Sequence, residues 1–172
     1  IMNAIGCVFS LSLAALALIP STVLGQAGYV HEVTGDLRMR NGHGAPVAAK
    51  VGDTFVQGTS FETLGNGRAV LKFEDGQLAA LLPSTVLRVA QYTYDPRNPR
   101  GSRSDMSLER GALRFVTGLI GATNVEALHL VAGAFTVHMR GTDVSLLATP
   151  ASQTAAVNLG GVLLQTRLGS DS

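Results

Sequence analysis

Gly65-Asn-Gly-Arg-Ala-Val-Leu-Lys-Phe-Glu-Asp-Gly76 decides the fold class of this 172-residue chain. From Arg68 to Glu74 the residues alternate, with Ala69, Leu71 and Phe73 on one side and Val70, Lys72 and Glu74 on the other. A period of two is that of a strand with one face on a core. Asp75-Gly76 then supplies a residue pair that tolerates the positive φ angles of a tight hairpin turn, so Gln77 to Leu82 is expected to return antiparallel.

The same chemistry extends in both directions. Glycines punctuate short apolar or alternating runs about every eight to twelve residues, the pattern of an all-β domain, and no long helical period is visible. Residues 28–33 and 36–40 alternate around Gly35 and read as a first strand pair, followed by a turn at Asn41-Gly-His-Gly44. Downstream, 86–94, 108–116, 128–131, 135–139, 144–148 and 162–166 complete the expected strands. About a dozen short strands exceed what one open sheet holds without curling, so the expectation is a two-layered antiparallel β-sandwich or a flattened β-roll.

Composition sets outer limits on function. Residues 1–25 carry no Asp, Glu, Lys, Arg or His, and Pro20 ends an apolar run that begins at Val8. A run of twelve residues, apolar except for Ser10 and Ser12, is too short to cross about 30 Å of hydrocarbon, so the stretch is expected to be a removed export signal with cleavage after Gly25. Residues 26–172 then form one β domain that meets the membrane only transiently, through its leader. Cys7, the only cysteine, falls inside that leader, which leaves the remainder without a disulfide. Thirteen basic residues balance twelve acidic ones, and the chain has no Trp. Neither an overall field nor a stacking surface points to nucleic acid.

Four histidines, His31, His43, His129 and His138, lack metal-ligand spacing. His129 and His138 fall on neighbouring expected strands and can meet across a ladder, but no metal and no cofactor is expected. Hydrolysis by paired carboxylates would need two of Asp53, Asp75 and Asp143 to converge, and each has a simpler use in a turn or strand. No nucleophile elbow occurs, and Gly118 and Gly121 are not expected to open a phosphate-binding helix. The expected protein is therefore not an enzyme. The loop from Asp95 to Ser104 is the clearest recognition candidate, because Arg97, Arg100 and Arg103 would share one side of an extended segment.

Two ordered blocks, each of two stretches, carry a likeness to a known family. Arg110-Gly-Ala-Leu-Arg-Phe-Val-Thr-Gly-Leu-Ile-Gly121 is followed by His138-Met-Arg-Gly-Thr-Asp-Val144, and both are preceded by Val51-Gly-Asp-Thr-Phe-Val-Gln-Gly58 and by Gly67 to Gly76. In this order and spacing they resemble the FecR family of periplasmic domains, over roughly residues 28 to 165. The resemblance implies an exported, non-catalytic binding or regulatory module of the bacterial cell envelope. Its implied partner is an envelope protein, either an outer-membrane transporter or a component of a regulator. Gly118, Gly121, Arg140, Gly141, Thr142 and Asp143 are the motif positions, with a structural role expected: Arg140 and Asp143 bonding backbone groups or each other. A module that binds envelope glycan or peptidoglycan is the alternative.

Overall fold

The computed structural model describes residues 25–149 and 151–166, so the expected leader lies outside the described residues except for Gly25. Among the described residues there are ten strands in one continuous sheet: β1 (Gln26–Asn41), β2 (Val47–Ala48), β3 (Thr54–Val56), β4 (Thr59–Phe73), β5 (Leu78–Leu81), β6 (Val86–Thr93), β7 (Arg103–Val116), β8 (Leu128–Ala132), β9 (Phe135–Ala148) and β10 (Gln153–Thr166). The fold is all-β, as the alternation predicts.

Five strands are long, and each serves both halves of the sheet. The first half of β1 pairs with β3 and with residues 68–73 of β4, whereas its second half pairs with β2 and with residues 59–64. Along β7, residues 103–110 face β6 and residues 104–108 face β8, while residues 111–116 lie between β5 and β9. The ladder register breaks where the strands change partners, for example between Thr34 and Asp36 and between Val86 and Leu87. Such bulges bend a strand and increase its twist. The sheet therefore folds over along a line of bends into two layers.

Those bends correct the expected strand count. Residues 28–33 and 36–40 are not a pair but the two halves of β1, and 135–139 and 144–148 are likewise halves of β9. The β4–β5 hairpin through Asp75-Gly76 forms as expected, with Lys72 opposite Leu78. Strand β10 begins at Gln153, well before the run at 162–166 that the sequence suggests.

Inward-facing side chains close the space between the layers. Leu71, Phe73, Leu113, Phe115, Val144 and Leu146 of one layer and Phe61, Leu87, Met106, Leu108, Leu130 and Val137 of the other join a single buried cluster. Phe55 packs edge-to-face on Phe61 at 5.0 Å and on Phe73 at 5.2 Å, tying the layers together. Each buried side chain of this size contributes about 1.5–3 kcal/mol by leaving water.

One pair, β7 with β8, is parallel. Parallel neighbours need a crossover rather than a hairpin, and here it contains a one-turn helix, α1 (Leu119–Thr123), and a 3-10 turn, Val125–Ala127. Gly118 and Gly121 were not expected to open a helix, yet α1 begins directly after Gly118, because the chain must leave the sheet to return and run parallel to β7.

Candidate functional site

The two most distinctive motifs meet on the outer face of the first layer. Arg114 on β7 stands opposite Ser145 on β9, with Asp143 two residues away. Its guanidinium grips the Asp143 carboxylate with both prongs, Nε donating to Oδ1 at 3.0 Å and Nη2 to Oδ2 at 2.6 Å. Asn158 of β10 donates to the same Oδ1 at 3.1 Å and to Ser145 Oγ at 3.0 Å. Held by the hydrogen bonds of Arg114 and then of Asn158, the Asp143 carboxyl titrates near 2, below the ordinary 3.8. Asp143 was expected to bond backbone groups or Arg140; among the described side chains its partners are Arg114, from the upstream motif, and Asn158.

Thr142 is buried and ties β9 to β10 and to the residue that follows β7. Its backbone N–H donates to Thr117 Oγ1 at 2.9 Å, and its hydroxyl donates to the Gly161 carbonyl at 2.8 Å. Arg140 pairs with Gly161 on the β9–β10 ladder. Gly141 takes φ +57° and has open space where a Cβ would stand.

Gly118 has the opposite constraint. A Cβ there would lie 2.5 Å from the Gln77 nitrogen, 2.6 Å from the Asp75 carbonyl oxygen and 2.7 Å from Asp75 Oδ2. The reason is a buried polar knot that the sequence reading missed by treating Asp75 as a turn residue alone. Asp75 Oδ2 accepts from Gln77 Nε2 at 2.7 Å and from the Ile120 N–H at 3.1 Å, while Oδ1 accepts from the Tyr92 hydroxyl at 3.1 Å and from the Gln77 N–H at 3.2 Å. Gln77 Oε1 in turn accepts from Ser104 at 3.0 Å. Burial first, and then the adjacent Asp75 charge, push the Tyr92 phenol far above its usual range. The knot satisfies a buried carboxylate and fastens α1 to both layers. At Gly121 a Cβ would meet Leu128 Cδ2 at 2.6 Å, so the small residue lets α1 sit close to β8.

The three loop arginines do not form the expected row. The loop turns through a 3-10 segment, Pro99–Gly101, and is closed by Asp95, whose side chain accepts from the Arg97 N–H at 2.8 Å and whose own N–H donates to Ser102 Oγ at 3.1 Å. Arg97 and Arg100 remain exposed. Arg103 instead opens β7, where its Nε donates to Asp105 Oδ2 at 2.6 Å. An ordered turn, not an extended segment, fixes where these charges point.

Among the carboxylates weighed for hydrolysis, Asp53 accepts from the Lys50 N–H at 2.9 Å within its own turn. Asp75 and Asp143 are occupied as described. One donor set among the described residues suits a cation: one ligand atom each from Glu126, His129 and His138, all within 4.8 Å of one another. His129 and His138 meet across the β8–β9 ladder, as their spacing allows.

The remaining feature is an edge. Among the described residues strand β10 pairs only with β9, and its fourteen residues, Gln-Thr-Ala-Ala-Val-Asn-Leu-Gly-Gly-Val-Leu-Leu-Gln-Thr, include no charge. Val157, Leu159, Leu163 and Leu164 are 48%, 73%, 68% and 49% exposed. Beside the edge an apolar cleft opens between the layers, lined by Phe135, Val137, Leu146, Ala155 and Leu164. At the other end of the sheet the edge is broken into the short strands β2 and β3. Compared with protein-family models, with curated proteins and with solved structures, the chain gives no match.

Proposed function

We propose that this chain is a non-catalytic binding module of the bacterial cell envelope that takes an extended apolar segment of a partner protein onto β10. The carrying observation is the long, uncharged, leucine-rich edge. Sheet edges left open are commonly blunted by lysine, proline or short strands, and β10 has none of these. An added strand gains main-chain hydrogen bonds from the edge and side-chain pockets from its flank, here the cleft at Phe135, Leu146 and Leu164. The register breaks between Val157 and Gly161 divide the edge into two short straight parts. Such parts favour a short guest segment over the long ladder that a second copy would build. The envelope setting rests on the leader-like residues 1–25 and on the FecR-like motifs. An outer-membrane transporter or a regulator component is the class of partner that resemblance suggests.

Photo-cross-linkers placed at Leu159 and Leu163 in the host should capture one envelope protein through an extended apolar stretch, mapped by mass spectrometry. Lysine at Val157 and Leu163 should abolish that adduct while leaving the far-UV circular dichroism unchanged. Adducts only between copies of this chain, or a partner adduct insensitive to V157K/L163K, would overturn the proposal.

A further inference from the structure

We propose that Glu126, His129 and His138 form a binding site for a zinc-class divalent cation, with Asp105 and Gln165 fixing which ring nitrogens face it. A straight row of residues crosses the outer face of the second layer, Asp105 on β7 opposite His129 on β8, His129 opposite His138 on β9, and His138 opposite Leu163 on β10. The 3-10 turn ahead of β8 brings Glu126 to the same place, held by Asn124 Oδ1 accepting from the Glu126 N–H at 3.1 Å.

The hydrogen bonds select the tautomers. His129 Nδ1 lies 2.8 Å from Asp105 Oδ1. A bare nitrogen so close to a carboxylate oxygen would oppose two lone pairs, so Nδ1 carries the proton and Nε2 is left as a donor atom. His138 Nε2 lies 3.3 Å from Gln165 Oε1, which places its proton on Nε2 and the lone pair on Nδ1. That Nδ1 is buried and has no hydrogen-bond partner among the described residues. Buried polar atoms without a partner are uncommon and call for an explanation, and a bound cation provides one.

A carboxylate holding the far nitrogen of a ligating histidine is the usual second layer of metal sites, where it orients the ring and raises its basicity. Arg103 Nη2 also reaches His129 Nδ1, but at 3.4 Å against 2.8 Å for Asp105, so the shorter carboxylate bond sets the proton on Nδ1; the arginine's charge is matched by Asp105, to which its Nε donates. Two imidazoles and one carboxylate suit zinc and its neighbours rather than calcium or magnesium, and three protein ligands leave a position for water or another donor. Ligands around a tetrahedral zinc stand about 3.3 Å apart. Glu126 is exposed, so its side chain is free to swing inward and close the set.

Isothermal titration of the purified protein with Zn2+ tests the site. One ion per chain is expected, with affinity lowered about 100-fold by H129Q or H138Q and about 10- to 100-fold by D105N. H31Q and H43Q should bind like the unaltered protein. Because a ring substitution can disturb the sheet, imidazole NMR signals of the unaltered protein are followed as well: Zn2+ should shift those of His129 and His138 and leave His31 and His43 in place. Absence of saturable binding, or signals of all four histidines moving together, would overturn the site.

Discussion

Gly118 and Gly141 both lie in motifs that stand out in the sequence, yet they are glycine for different reasons. At Gly118 the obstacle is contact: a methyl group would press on the Asp75 carbonyl and carboxylate and on the Gln77 nitrogen, all backbone or tightly held. At Gly141 the space is open and only the positive φ matters. Gly141→Ala should therefore cost about 1 kcal/mol, the strain of a left-handed residue. Gly118→Ala should cost about 2–3 kcal/mol or more, because overpacking forces the buried knot apart. Thermal denaturation of the two variants reads the difference, and equal melting temperatures would mean that the knot yields without loss. Sequence reading found both glycines but could not rank them. The group that Gly118 must avoid comes from a hairpin turn far earlier in the chain, and alternation carries no information about which turns are buried.

Among the elements, β7, β9 and β10 are fastened across their outer face by Arg114, Asp143 and Asn158. The folded Asp143 carboxyl titrates near 2, below its ordinary 3.8, so the fold favours the ionised form. The contribution is complete above the unfolded value and disappears as pH falls through the folded one. The melting-temperature gap between the unaltered protein and D143N should accordingly be steady above about pH 4 and close as pH approaches 2. A gap that persists at pH 2 would show that the carboxylate charge is not what holds the strands. Strand positions were legible where hydrophobic alternation is strong, as at 68–73 and 86–93. They were not at 153–161, where Ala155, Ala156, Asn158, Gly160 and Gly161 are weak strand formers. There the ladder to β9 decides. The arginine loop was misjudged because spacing alone gave it an extended path, whereas Asp95 and Ser102 close it into a turn.

For the molecule as a whole, the bent strands decide how the two layers depend on each other. A sandwich with separate sheets joined by loops can loosen one sheet first. Here β1, β4, β7 and β9 run through both layers, so neither half of the ladder can detach without breaking strands of the other. The all-β class and the two layers followed from strand number and alternation, but the shared strands did not, since a bulge glycine and a turn glycine look alike in sequence. The Asp75 knot adds a second coupling, joining the β4–β5 turn of one layer to Tyr92 and Ser104 of the other. The protein has no Trp, so Tyr92, buried at that junction, offers a local tertiary probe in the near-UV circular dichroism. Far-UV circular dichroism reports all strands at once. If the layers share their strands as described, both signals should trace one urea transition with the same midpoint, the behaviour of an all-or-none unit. A tyrosine transition that clearly precedes the far-UV one would mean that the junction opens while the ladders persist, and the bends would then be hinges rather than couplings.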